Sequence, residues 1–262
     1  MIKFFRNIRR KLHRENRFTR YLIYAIGEII LVVIGILIAL QINNWNETQK
    51  EIQASREFIL EIREDLVKDT ILLVGQIKFL EEQIKLDKKV LSEINYTLDD
   101  ATLLNKSIDR NLRDFSLNDQ AFTSMNNAGY VGLVGFEGLF KDIKDHYYIT
   151  RGNFNRLRDW QISEAQKDQV EDLGLTQNYE LSYAFYQELL GIDFLSDSLP
   201  ELPNREIQSN YLIKKFQSIE GRNYLKYNYA KHLVLNRFWK MFLQFTIDLI
   251  EKIDSELTRS NA

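Results

Sequence analysis

The stretch YLIYAIGEIILVVIGILIALQINNWNE, residues 21–47, decides how this chain is built. Residues 21–42 are almost entirely apolar, and an α-helix of that length spans about 33 Å, enough for a hydrocarbon core of ~30 Å. A cleaved signal peptide would have a shorter apolar region and a small-residue cleavage site, which does not follow here. A buried core helix would not explain the cations on one flank. The stretch therefore predicts a transmembrane helix, 21–44.

The charges on the two sides of this helix have opposite signs. Residues 1–20 carry eight Lys and Arg against one acid, a net charge of +7, whereas the rest of the chain carries −9. Because basic flanks stay in the cytoplasm, the pattern places residues 1–20 there and residues 45–262 across the membrane. A basic segment could also bind nucleic acid, but an apolar face within 1–20 favours the lipid bilayer as partner, with no nucleic acid.

Aromatic and basic side chains mark the two membrane interfaces. Tyr21 and Tyr24 lie at the start of the apolar run, after Arg17 and Arg20, and Trp45 lies beyond its end. Aromatic rings are enriched at the level of the lipid headgroups, and cations favour the cytoplasmic headgroups. We therefore expect these five residues at the membrane interface.

Glu28 is the only acid inside the apolar run, and Gln41 is the second polar residue that matters there. Glu28 lies about 12 Å past Arg20 along a helix, roughly a third of the way into the bilayer. A charge at depth costs from ~2.5 to more than 10 kcal/mol, so we expect Glu28 to be neutralised or paired. It borders a face of residues four apart, with small side chains that let another helix approach closely: Gly27, Leu31, Gly35 and Ala39. This face predicts a homo-oligomer or a hetero-complex through the transmembrane helix.

The rest of the chain is typical of long helices. The two prolines lie at 200 and 203, and neither Pro nor Gly occurs between residues 36 and 74, so the membrane helix is either continuous with the next helix or closely followed by it. A heptad-like, coiled-coil pattern follows, interrupted by two polar residues: Leu66, Thr70, Leu73, Ile77, Leu80, Ile84, Asp87, Leu91, Ile94 and Leu98. One helix cannot bury such a stripe alone, so it packs either on other helices of the chain or on a second copy.

Turns and further helices complete a predicted periplasmic domain, 45–262. We expect a turn zone at 95–107, a short helix at 120–127 with Asp119 as N-cap and Gly129 as C-cap, and an irregular crossover at 174–204 that contains a helix at 179–190. Three more helices are predicted at 136–172, 205–219 and 223–257, with Gly221 before the last. The apolar face of the last comprises Leu235, Phe238, Phe242, Phe245, Leu249 and Ile253. The fold class is all-α: one transmembrane helix and an antiparallel helical bundle.

The sequence contains no recognisable catalytic or metal-binding motif. There are no cysteines, and neither His146 nor His232 has a second ligand at i+3 or i+4, as a metal site on a helix needs. His146 follows Asp145 and lies four positions after Asp142, so an Asp-His-Tyr cluster is imaginable, but a histidine on a helix face is the simpler interpretation. We therefore expect no enzyme activity, no catalytic residue, no metal and no cofactor.

Two stretches resemble a known family. IGEIILVVIGILIALQINNWNE (26–47), together with the basic residues before it, is similar to the N-terminal signature of an uncharacterised Bacteroidota family of single-span, membrane-anchored proteins, catalogued as a domain of unknown function. Residues 119–148 resemble the same family more loosely, through Asp119, Phe122, Gly129, Tyr147 and Tyr148. The resemblance implies a bacterial inner membrane with a periplasmic body, and it implies no activity.

Two functional hypotheses follow. In the first, the protein is a non-enzymatic scaffold, assembly or sensor-like binding module that acts through helix packing in the membrane. In the second, it is an accessory subunit of an ion-coupled complex that uses Glu28, because a short basic head, an acidic membrane helix and a periplasmic body are also the plan of such subunits.

Overall fold

The computed structural model describes residues 17–108, 115–130, 132–167, 178, 180 and 202–259, with the backbone alone at 17–20 and 165–167. Seven α-helices are described, together with a 3₁₀ turn at Leu98–Asp100 and a π-helical turn at His146–Thr150. The α-helices are α1 Arg17–Ser92, α2 Ala101–Lys106, α3 Gln120–Asn127, α4 Glu137–Asp145, α5 Arg151–Lys167, α6 Arg205–Gln217 and α7 Ile219–Arg259. No strand occurs among the described residues, and the all-α fold is confirmed.

Parts of several predictions lie outside the described residues, among them the end of the predicted helix at 136–172 and most of the predicted crossover at 174–204. The predicted basic segment, 1–20, is described only in the backbone of its last four residues, and the predicted helix at 179–190 is described only at residue 180. The predicted domain boundaries, 1–20, 21–44 and 45–262, stay predictions.

The chain divides into two compact units. The first comprises the chain up to residue 57 together with 133–135. Its described part is the apolar half of α1 and a short segment held by the buried Ser55, whose Oγ accepts a hydrogen bond from the Val134 amide at 3.0 Å. Gly135 in this segment has a φ of +80°, a conformation that a residue with a Cβ rarely adopts.

The second unit, residues 58–132 and 136–262, is an antiparallel bundle. Arg63 pairs with Asp254, whereas Asp87 pairs with His232, so α7 runs opposite to α1. One apolar cluster joins α1, α5 and α7 through Leu73, Ile77, Leu80, Phe154, Leu235, Trp239 and Phe242. A second joins the end of α1 to α2, α6 and α7 through Val90, Tyr96, Leu104, Ile108, Leu212, Ile213, Phe216 and Leu225.

The predicted apolar stripe of α1 is confirmed where helices of the same chain cover it and wrong at its end. Leu66, Leu73 and Leu80 are buried inside the second unit. Ile94 and Leu98 are exposed because α1 ends at Ser92. The predicted turn zone at 95–107 is also wrong in part, because the Asp100 carboxylate accepts a hydrogen bond from the Thr97 amide and starts a helical segment.

The last helix also departs from the prediction. It begins at Ile219, so Gly221 lies inside α7 rather than before it. A Cβ on Gly221 would come 2.2 Å from the carbonyl oxygen of Lys215, and the ends of α6 and α7 can meet this closely only because residue 221 has no side chain. Phe238 and Phe245, predicted as core, are exposed, and the buried line instead includes Trp239 and Thr246.

Candidate functional site

The first candidate site is the apolar part of α1. This helix contains a window apolar enough to cross a membrane, none of which is buried, and every residue from 21 to 51 is exposed. A run of exposed Ile, Leu and Val at this length is costly in water and suited to lipid. The structure thus contains one helix capable of spanning a membrane within the described residues.

The polar and small residues predicted as a packing surface lie on this exposed helix. Glu28 and Gln41 are exposed, and no described residue forms a hydrogen bond or ion pair with Glu28. The predicted packing face is open: Gly27 and Gly35 would each accept a Cβ with no atom within 4 Å, and Leu31 and Ala39 are exposed. The face therefore has room for a second helix.

The aromatic residues predicted at the membrane interfaces are exposed as well. Tyr21 and Tyr24 are on the first turns of the apolar run, and Trp45 is one turn past its end. The side chains of Arg17 and Arg20 lie outside the described part of the chain. The assignment of these five residues to the headgroup region stays a prediction.

The second candidate site is a buried ionic cluster in the second unit, which the sequence did not reveal. Arg151 Nη2 lies 2.6 Å from Asp69 Oδ2, and both side chains are almost fully buried. The other oxygen of Asp69 accepts two hydrogen bonds from Asn118, from its backbone amide at 2.7 Å and from its side-chain amide at 2.8 Å. One carboxylate on α1 thus holds α5 and the segment before α3.

A second carboxylate of α1 begins α3. Asp65 Oδ2 accepts a hydrogen bond from the Ala121 amide at 3.0 Å, and so satisfies one of the free amides at the start of that helix. Asp119 occupies the N-cap position, as predicted, but its side chain makes no capping hydrogen bond. The cap is therefore supplied by a residue more than fifty positions earlier in the chain.

An aromatic stack completes the cluster. The ring of Phe122 lies parallel to that of Tyr147 with centroids 4.2 Å apart, and the Arg151 guanidinium lies 4.1 Å from the centroid of Tyr147. Tyr148 packs edge-on against Phe122. The aromatic residues quoted above for the resemblance thus contact one another, and the cation–π contact links them to the ion pair.

The π-helical turn at His146–Thr150 carries polar atoms without partners. His146 Nε2, Tyr147 Oη and Arg151 Nε are buried and form no hydrogen bond. Burial lowers the pKa of His146 to about 4, with a smaller contribution from the Arg151 charge, so its ring is neutral at pH 7. Burial also raises the pKa of Tyr147 and of Asp69, although Arg151 and Asn118 offset part of the effect on Asp69.

A polar layer separates the two apolar clusters of the bundle. Asp87 Oδ2 lies 2.7 Å from His232 Nδ1, with both side chains buried. One helical turn before His232, Asn228 is fully buried and neither atom of its amide has a partner. Asp87 was expected only as an interruption of the apolar stripe, and its pairing with His232 was missed because the two residues are 145 positions apart.

The interactions of these clusters join elements of the fold. The carboxylates of Asp65 and Asp69 are occupied by backbone amides and by Arg151, and no group of three or more His, Asp or Glu side chains in the described ranges could hold a metal ion. Asp142 pairs with Lys252 on α7, so the imagined cluster around His146 does not use it. The buried pairs fix the register of α1, α3, α5 and α7.

Over the described residues, the fold and these sites define a helical protein with one helix that is long and apolar enough to cross a membrane. Residues 28–140 match a family of unknown function (DUF6090). The match covers less than half of the chain, from Glu28 to the first turn of α4, and it confirms the expected resemblance to a domain of unknown function over that part. No curated protein and no solved structure matches the chain.

Proposed function

We propose that the protein is a non-enzymatic, single-pass protein of a bacterial inner membrane, of Bacteroidota type, and that it acts as a scaffold, assembly or sensor-like binding module. Residues 1–20 lie in the cytoplasm and the helical body lies in the periplasm. The acid and the small residues of the membrane helix hold a second helix, either from another copy or from a different protein.

The observation that carries the proposal is the open face around Glu28. A carboxyl group in the hydrocarbon core is costly unless it is neutral or partnered, and no described residue partners it. The glycines beside it leave open space where a neighbouring backbone fits closely. Both features are satisfied together when a polar group of a second helix meets Glu28 across this face.

The test is association of the full chain in native membranes. Glu28→Ala is expected to reduce detergent-resistant cross-linking or the yield of a co-purified partner at least several-fold. Val33→Ala is the matched control, because Val33 lies on the opposite side of the same helix. Unchanged cross-linking and unchanged partners in Glu28→Ala would contradict the packing role.

The orientation has its own test, because the chain contains no cysteine. Leu12→Cys and Ser255→Cys each introduce one thiol, on opposite sides of the membrane in this proposal. A membrane-impermeant maleimide added to spheroplasts is expected to label only Ser255→Cys. Labelling of only Leu12→Cys would reverse the topology, and labelling of both in intact spheroplasts would contradict a single span.

A second candidate function is supported by the same carboxyl group. An unpartnered acid within a membrane helix is also what a proton or ion pathway uses. In this alternative the protein is an accessory subunit of an ion-coupled complex, and Glu28 takes up and releases a proton. Glu28→Gln, which keeps hydrogen bonding but cannot ionise, is expected to abolish proton flux through the purified complex in liposomes. Full flux with Gln would exclude this alternative.

A further inference from the structure

A groove of about 360 Å³ lies between α5 and α7 in the second unit. Leu157 and Trp160 form one wall, and Phe238 and Met241 form the other. The buried ring of Phe242 forms the floor. Because these residues are three or four positions apart on each helix, the groove follows the helix axes rather than crossing them.

The apolar wall on α7 continues beyond the groove. Val234, Phe238, Met241 and Phe245 follow one another at steps of four, three and four residues, and each side chain is 38–45% exposed. The stripe covers three turns, about 16 Å of helix. A second apolar line on α7, through Leu235, Phe242 and Leu249, already supplies the core. Contiguous exposed apolar surface next to a satisfied core marks an interaction site.

One basic side chain lies in the groove, and a second lies directly before Phe238 in the sequence of α7. Arg156 lies in the lining and donates a hydrogen bond to Asn153 Oδ1, and no carboxylate of the described residues pairs with it. Arg237, beside Phe238 on α7, is exposed and also has no carboxylate partner within the described ranges. No acid lines the groove. A ligand that complements this surface has an apolar face flanked by negative charge.

The shape selects the kind of ligand. A small molecule usually has most of its surface buried in its pocket, whereas this groove is open along its length. An amphipathic helix instead places anchors at i, i+4 and i+7 into an apolar groove, which is the spacing of the exposed stripe. We propose that the groove between α5 and α7 binds an acidic amphipathic helix of a partner protein.

This partner contact is separate from the membrane-helix packing proposed above and does not depend on it. The groove consists only of residues of α5 and α7, and none of them is within the apolar part of α1. Variants of the groove and variants of Glu28 therefore test different statements, and each can fail without the other.

The experiment uses the full chain in lipid nanodiscs and a defined peptide probe. The probe is a helical peptide with leucines at i, i+4, i+7 and i+11 and glutamates along both flanks, and its twin has lysines in place of the glutamates. Fluorescence anisotropy, with empty nanodiscs subtracted, is expected to show binding of the acidic peptide and at least tenfold weaker binding of the basic twin.

Groove variants give the specificity. Arg156→Glu is expected to lower the affinity for the acidic peptide at least tenfold and to raise the affinity for the basic twin. The double variant Phe238→Ala/Met241→Ala is expected to lower the affinity for the acidic peptide at least tenfold. The control is Arg259→Glu, at the far end of α7, which is expected to leave both affinities unchanged. Equal binding of the two peptides, or binding insensitive to Arg156 and Phe238, would overturn the proposal.

A second copy of the chain or another segment of the same chain could fill the groove instead of a partner helix. The variant Met241→Cys, whose new cysteine is the only one in the chain, distinguishes these occupants. Disulfide-linked dimers through this cysteine would show that a second copy covers the groove. A bifunctional cross-link from it to residues 168–201 of the same chain would show an intramolecular occupant. Either result would overturn the proposal, and a cross-link to the acidic peptide alone would support it.

Discussion

Arg151 and Asp69 form a buried ion pair across 82 positions of sequence, with Nη2 and Oδ2 2.6 Å apart. The pair joins α5 to α1, and the same carboxylate receives both amides of Asn118. A buried charge that loses its partner stays desolvated and uncompensated. The pair therefore favours the one alignment of α5 along α1 in which both charges meet, and its net contribution to the free energy of unfolding is small.

Removal of one partner is expected to be costly. Asp69→Asn leaves the Arg151 charge buried without an anion, and we expect the free energy of unfolding to fall by about 3–5 kcal/mol. Asp254→Asn is the control, because its pair with Arg63 is partly exposed and should contribute about 1 kcal/mol or less. Chemical denaturation of the full chain in detergent measures both. Equal losses for the two variants would contradict the role given to Asp69.

His146 makes stability depend on pH. Its pKa in the folded protein is about 4, below the ordinary 6.5, so between these values the unfolded chain binds a proton that the folded chain does not. The neutral, buried ring therefore has no effect on the pH dependence above pH 6.5. As the pH falls from 6.5 towards 4, the free energy of unfolding decreases by about 3 kcal/mol. His146→Leu should flatten the thermal-stability curve between pH 7 and 4.5. An equally steep curve in that variant would show that other groups cause the loss.

Two glycines are expected to respond in opposite directions to the same substitution. Gly221→Ala places a Cβ 2.2 Å from the Lys215 carbonyl oxygen, so α6 and α7 must separate and the protein should lose at least 1–3 kcal/mol. Gly75→Ala is the control, because its Cβ meets nothing and Ala is the better helix former, so a gain of about 0.5–1 kcal/mol is expected. A loss at Gly75 comparable to that at Gly221 would contradict the close approach.

The sequence predicts the helices better than it predicts what they bury. The four- and three-residue spacing of α1 identifies its core line, but Asp69 rather than Thr70 continues that line, between Leu66 and Leu73. The buried residues Ile59 and Ile62 precede Leu66 at the same steps of three and four residues. Continued forward from them, these steps reach Asp69, which is the polar residue of the buried line. An acid on a core line is therefore the sequence signal for this buried, paired carboxylate.

The partners of that acid could not be predicted from spacing. Asn118 and Arg151 lie on other elements, and the π-helical turn at His146–Thr150, which inserts a residue into the helical repeat, directly precedes Arg151. A pattern of apolar residues carries no information on such an insertion. In α7 the error has a different cause: Phe238 and Phe245 recur at the same three- and four-residue steps as a core line, but the buried line passes one position to the side, through Trp239 and Thr246.

Glu28→Gln separates the two proposed functions of the membrane helix. A neutral amide can still hydrogen-bond across a helix interface, so the packing role predicts association within about threefold of the natural chain. An ion pathway needs a group that gains and loses a proton, so that role predicts loss of proton flux. Quantitative cross-linking and flux measurements on the same membranes give both results, and loss of association with Gln would contradict a hydrogen-bonded interface.

Photo-cross-linking within the membrane helix tests most directly whether this helix packs on a second helix. A photoreactive amino acid is placed at Leu31, on the face with Gly27 and Gly35, or at Val33, on the opposite side of the same helix. Helix packing on this face predicts a discrete protein adduct, either a dimer or a hetero-complex, from position 31 and only lipid adducts from position 33. Lipid adducts alone from both positions would contradict helix packing in the membrane as the basis of function.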